Sequence, residues 1–153
     1  AGDGITPLTA LGTQVHIVSK GNSRTVPLTE LITAPGRAGL APHELIHSLT
    51  LDLPEQPERF FFSKITRRRS VAIARMNLAV QTALDPSGKI ASARVAAGAV
   101  FPSPRRLAEV EALLIGQFPQ PDLFRECGRR AVEVLRAVSG RRRTHRPSMA
   151  SWA

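Results

Sequence analysis

The sequence predicts an α+β fold in which strands come first, a β-hairpin follows, and two helices close the chain on one face of an antiparallel sheet. Three observations predict it. Apolar residues recur at a spacing of two through much of the first hundred positions. The turn "DPSGK" at residues 85–89 joins two such arms. After residue 103 the spacing changes to the three-and-four rhythm of helices.

Up to about Pro54 the residues read as strands and loops. "GTQVHIVSKGNSRTVPL" sets Val15 and Ile17 against Val26 and Leu28 around a Gly-Asn turn, which predicts a hairpin. "TELITAPGRAGLAPHE" is broken by Pro-Gly and Ala-Pro and reads as loop. "ELIHSLTLDLP" reads as a strand that Pro54 ends, with Ile46 and Ser48 on one side and Leu45, Leu49, Leu51 and Leu53 on the other. "PEQPER" is a loop and a natural boundary. "FFFSKI" then predicts a strand and "TRRRS" a polar turn. "SVAIARMNLAVQTAL" has Met76, Leu78, Val80, Thr82 and Leu84 on one face, and "IASARVAAGAV" is the returning arm, lined by small residues that suit close packing.

"SPRRLAEVEALLIG" predicts a helix with Ser103 as its cap, Pro104 in its first turn and Gly116 as its stop. Leu107, Val110, Leu113 and Leu114 form its apolar side. A second helix is expected from about Asp122 to Ser139, with Leu123, Phe124, Cys127, Ala131, Val134, Leu135 and Val138 on one stripe and Gly140 beyond it. The boundaries drawn are residues 1–54, residues 55–140 and a basic tail at 141–153.

Composition narrows the function. The 153 residues are 42% hydrophobic and 22% charged, as in ordinary globular proteins. No stretch approaches the roughly 18–20 apolar residues of a membrane span, and the first residues lack a secretory pattern, so the expected compartment is the cytoplasm. The net charge of +9 would suit nucleic acid. Yet all but three of the basic residues (Lys20, Lys64 and Lys89) are arginine in an alanine-rich chain, which reads as a solvated basic surface. The run "GRRRTHRP" is the best nucleic-acid candidate, and it lacks interleaved aromatic residues.

Most catalytic motifs are absent. His43 and His47 are spaced i, i+4, but in a segment read as loop entering strand, where that spacing does not present two ligands to one zinc ion. Cys127 lies on an apolar helical stripe and reads as a core thiol. No nucleophile elbow, dinucleotide-binding glycine fingerprint or Walker loop occurs. Lys64 stands apart. Its neighbours on one strand face are Phe60 and Phe62, and a lone cation among rings is costly unless it snorkels, pairs or meets a ligand.

Several stretches, in order, resemble one family. "AGDGITPLTALGTQVHIVS" is similar to a segment in which an aspartate leads into P-x-L-x-A-L-x-A-x-V. "VPLTELITAPGRAGLAPHELI" is similar to V-P-L-x-x-F-F-x-G-P-G-x-T-x-L-x-x-x-E-L-L. "FFSKITRRRSVAIARMNLAV" resembles Phe-x-Lys-x-x-x-Arg followed by Ile-Ala, and "SARVAAGAVFPSPRRLAEVEALLIG" resembles a C-terminal hairpin and helix. The family is the FAD-binding subunit of the xanthine dehydrogenase and carbon monoxide dehydrogenase group of molybdenum hydroxylases, and the resemblance covers its C-terminal portion.

The resemblance implies the end of a FAD-binding α+β domain followed by a small domain of antiparallel sheet and helices. It implies electron transfer from [2Fe-2S] clusters through FAD to NAD+ or another acceptor. The molybdenum cofactor and the clusters would sit on partner molybdenum and iron–sulfur subunits. Carried over residue by residue, Asp3 and Lys64 would contact FAD, with Ile46 as an apolar contact near the flavin. A cation there would favour added negative charge on the flavin. The family's phosphate-cradling glycine loops match nothing in this sequence, so the N-terminal half of the flavoprotein subunit is an expected partner, and this chain alone is expected to bind FAD weakly or not at all. The alternatives are a basic nucleic-acid-binding module and a subunit-assembly module without cofactor contact.

Overall fold

A computed structural model describes residues 3–52, 57–66 and 73–139. The expected "TRRRS" turn, the boundary loop around Pro54 and the run beyond Gly140 fall largely or wholly outside those residues.

The chain opens with a short helix α1 (Ile5–Ala10) where strand or loop was expected. β-Branched Ile5 and Thr6 together with Pro7 disguise it. Pro7 falls in the first turn, where its missing N–H costs nothing, and packing on both sides supplies what propensity lacks. Strands β1 (Gln14–Ser19) and β2 (Asn22–Pro27) form the expected hairpin, turned at Gly21 with φ +80°. The stretch read as loop contains one helical turn, α2 (Leu28–Leu31), and a small hairpin of β3 (Ile32–Ala34) and β4 (Arg37–Ala38), reversed at Gly36. β5 (Leu45–Thr50) joins the other edge of β1, giving a sheet ordered β2-β1-β5.

Pairing in that sheet corrects one expectation. Ile46 lies opposite Ile17 and Ser48 opposite His16, so His47 is an extra residue on β5. This bulge turns the alternation over. Ile46 and Leu49 therefore share the face of Ile17 and Val15 rather than lying on opposite sides.

The second sheet is ordered β6-β7-β8-β9, from β6 (Glu58–Ile65), β7 (Met76–Leu84), β8 (Ile90–Gly98) and β9 (Arg105–Arg106). The β7–β8 turn closes on Asp85, whose side chain accepts from the backbone N–H of Ser87 at 2.8 Å and of Lys89 at 3.0 Å. Here the expected helix start is displaced. Arg105 and Arg106 pair with Ala97 and Ala96 as an edge strand, so Ser103 is no cap, and helix α3 runs only over Ala108–Leu114. Helix α4 (Pro121–Ser139) agrees with expectation.

The α3/α4 core joins Val95, Ala97, Leu107, Val110, Leu114, Cys127 and Val134, with Leu78 and Val80 beneath. Glu111, almost fully buried, fastens α3 to the sheet: it accepts from Val95 N–H at 2.8 Å and binds the Arg106 guanidinium through both oxygens. Those hydrogen bonds raise the Arg106 pKa.

The other face of the same sheet carries α1, through the alanine contact of Ala10 with Ala79 and Ala96. On its opposite side α1 sends Ile5 and Leu8 into the core of Val15, Ile17, Leu28 and Leu31. The helix is thus wedged between the two sheets. Gly98 makes the approach possible, because a Cβ there would overlap Thr6 Oγ1 and Asn77 Oδ1.

Candidate functional site

Antiparallel pairing sets Lys64 opposite Asn77, and Asn77 opposite Gly98. These three positions form one row across the sheet, on the face that α1 covers. Thr6 of α1 donates from Oγ1 to Asn77 Oδ1 at 2.7 Å, a buried bond that sets the start of α1 over the row. Asp3 stands just ahead of α1, and Lys64 Nζ donates to its Oδ2 at 2.6 Å.

Residues 61 positions apart are therefore brought into an ion pair. The Lys64 and Asp3 side chains are 37% and 43% exposed, so the pair sits on a rim within reach of a ligand. Phe60 and Phe62 share the Lys64 face, as alternation predicts, and remain substantially exposed. The neighbouring Glu58 accepts from Gln81 Nε2. The result is a flat aromatic strip beside paired charges on an open sheet edge.

Ile46 is not part of the ion pair. It lies on β5 in the other sheet, about half exposed, on the side that α1 packs against. Sequence reasoning missed Thr6, Asn77 and Gly98. Asn77 interrupts an apolar strand, which is a visible signal, but its partner is 71 residues away. Beside this row lies a cavity of about 410 Å³ between α1, the β3–β4 turn and the end of β8, lined by Ile5, Ile32, Pro35, Ala99 and Phe101 among others.

The other candidate residues that are described have their own surroundings. Among the described residues no three His, Cys, Asp or Glu side chains could hold a metal ion together. His16 is instead bound to the hydroxyls of Thr25 and Thr50 across the strands. Cys127 is buried, and that burial raises its thiol pKa, as a core role requires. Arg24, Arg105, Arg106, Arg125, Arg129 and Arg130 each pair with a carboxylate. No helix among the described residues is long and apolar enough to cross a membrane.

Comparison with known proteins agrees with this architecture. Residues 61–146, more than half of the chain, match the model of the CO dehydrogenase flavoprotein C-terminal domain.

The chain belongs to that family.

The matched region contains Lys64, while Asp3 and Ile46 precede it. The chain is 26% identical over 119 residues to the nicotinate dehydrogenase FAD-subunit of Eubacterium barkeri, covering 76% of this chain and 40% of that protein. Its fold is similar to quinoline 2-oxidoreductase from Pseudomonas putida 86, at a TM-score of 0.75 and 20% identity over 84% of this chain and 44% of the other. A Cu,Mo-CO dehydrogenase matches at a TM-score of 0.78 and 17% identity, over 86% and 46% of the two chains. The carbon monoxide dehydrogenase of Hydrogenophaga pseudoflava gives 0.78 and 18%, over 85% and 45%. These relatives are oxidoreductases, and this chain spans less than half the length of each matched chain.

Proposed function

We propose that the chain forms part of the FAD-binding subunit of a molybdenum-hydroxylase dehydrogenase. It would help hold the FAD that passes electrons from [2Fe-2S] clusters to NAD+ or another acceptor. The observation that carries this reading is the Lys64–Asp3 pair, in which two residues that the resemblance assigns to one cofactor, 61 positions apart, meet at 2.6 Å. Residues 1–54 would close the FAD-binding domain and residues 55–140 would form the small C-terminal domain, with 141–153 as a tail outside the described residues. Iron–sulfur and molybdenum subunits are the proposed partners, and the cytoplasm the proposed compartment.

When bound, FAD supplies the redox chemistry, accepting electrons and passing them on. The chain's own residues would do three things. Lys64 would help hold the ring, and its ammonium charge would favour added negative charge there. Asp3 restrains that ammonium and offers a carboxylate acceptor. Phe60 and Phe62 on β6, and Ile46 on β5, would offer apolar surface that limits the access of water to the ring.

The test is reconstitution of the flavoprotein subunit, followed by titration of its flavin. The subunit is expected to retain FAD, and Lys64→Met is expected to shift the flavin midpoint by about 30 mV or more, equivalent to tenfold in a two-electron equilibrium. Failure of the folded subunit to retain flavin, or an unchanged potential in the variant, would overturn the assignment.

A further inference from the structure

Two kinds of contact hold α1 to the second sheet. At the far end of the helix Ala10 meets Ala79 and Ala96, methyl against methyl. At the near end Thr6 donates to Asn77, and both residues are almost fully buried. The two hydroxyls of α1 are used differently. Thr9 Oγ1 turns back to the Ile5 carbonyl at 2.9 Å and stays within the helix. Thr6 sends its hydroxyl across to the sheet.

Stability alone does not call for a polar pair at that place. Apolar side chains of the same shape in place of both partners can be nearly neutral. The sheet also gives up a side chain to make room for the bond. A Cβ at Gly98 would overlap both Thr6 Oγ1 and Asn77 Oδ1, while the Gly98 backbone is not in the left-handed region that favours glycine. Space, then, is what that glycine supplies. What the hydrogen bond adds over an apolar contact is a defined distance and direction.

We propose that Thr6 and Asn77 are positioning residues for the Lys64–Asp3 pair, holding Asp3 against Lys64 and so fixing the ammonium offered to the flavin. This rests on the flavoprotein reading above. Asn77 is the cross-strand partner of Lys64, and side chains so paired have Cβ atoms about 4.5–5.5 Å apart. Thr6 follows Asp3 by three residues, less than one helical turn. The two bonds therefore tie the same short stretch of chain to neighbouring positions of β6 and β7. A shift of about 1 Å takes the 2.6 Å bond between Lys64 and Asp3 out of hydrogen-bonding range. Contacts between methyl groups change little over such a shift, whereas the Thr6 bond does not survive it.

The test uses the folded flavoprotein subunit. Carbodiimide joins a carboxylate to an amine where the two touch, so the yield of the Asp3–Lys64 amide, read by mass spectrometry, reports the pair without reference to flavin. Thr6→Val keeps the shape of the side chain and removes its donor. It is expected to lower that yield at least threefold. It is also expected to lower the flavin midpoint by about 14 mV, the equivalent of threefold in a two-electron equilibrium. Thr6→Ser keeps the hydroxyl and is expected to preserve both readings. Leu107→Ala weakens the core on the opposite face of the sheet and is expected to change neither. Thr6→Ala is the second probe should Thr6→Val lower expression.

The proposal is overturned if Thr6→Val leaves the cross-link as in the parent, or if Thr6→Ser loses it equally. It is overturned too if Lys64→Met moves the midpoint and Thr6→Val does not, or if Leu107→Ala moves it as far. The flavin assignment is read separately. A silent Lys64→Met removes that assignment, and the cross-link yields of Thr6→Val and Thr6→Ser then decide the positioning by themselves.

Discussion

Lys64 and Asp3 show how little an ion pair needs to contribute to stability in order to matter for function. A half-exposed pair of this kind is worth about 0–1 kcal/mol. Lys64→Met is therefore expected to leave chemical denaturation within about 1 kcal/mol of the parent chain. A much larger loss would assign Lys64 to the scaffold. Glu44 behaves differently. The Arg24 guanidinium binds both its oxygens and the Ala41 N–H adds a third bond, which together lower its pKa from 4.5 to about 2. Because the folded value is depressed, this clamp contributes fully above pH 4.5 and is lost as pH falls toward 2. A carboxyl titration followed by NMR should place Glu44 well below the usual glutamate value, and Glu44→Gln should flatten that part of the acid limb of stability.

Among the elements, α1 has a size out of proportion to its role. Six residues separate two sheets, and the helix approaches β7 and β8 closely because Gly98 and a set of alanines leave room for it. Gly98→Ala would drive a methyl group into Thr6 and Asn77, and overpacking of this kind costs about 1–3 kcal/mol. Thermal unfolding should register that loss. The Asp3–Lys64 contact should loosen with it, since Asp3 rides on the start of α1. The β7–β8 turn is a second element-scale case. Asp85 accepts from Ser87 and Lys89, which lowers its pKa. Asp85→Ala is expected to lower the thermal unfolding temperature by leaving those turn amides without their acceptor.

For the molecule as a whole, the second sheet is covered on both faces, by α3 and α4 on one side and α1 on the other. Leu107, 1% exposed, stands where β9 passes into α3 and packs in the larger core. Leu107→Ala should lose about 2–5 kcal/mol in a denaturant titration. Reaction of Cys127 with an alkylating reagent offers a matching probe of global opening. The thiol is buried and its pKa raised, so its modification should follow unfolding rather than surface reactivity.

The sequence by itself determined the class of fold, both hairpins, the span of α4, the core position of Cys127 and the shared face of Phe60, Phe62 and Lys64. These follow from local periodicity and turn chemistry, which act over a few residues and leave a pattern in the text. Tertiary structure alone decided that Asp3 reaches Lys64, that Asn77 rests under Thr6, and that a bulge at His47 carries Ile46 to the α1 side. It also decided that α1 is a helix and that Arg105 and Arg106 close a sheet rather than open α3. Those outcomes depend on partners tens of residues away, where close packing and sheet register outweigh local preference.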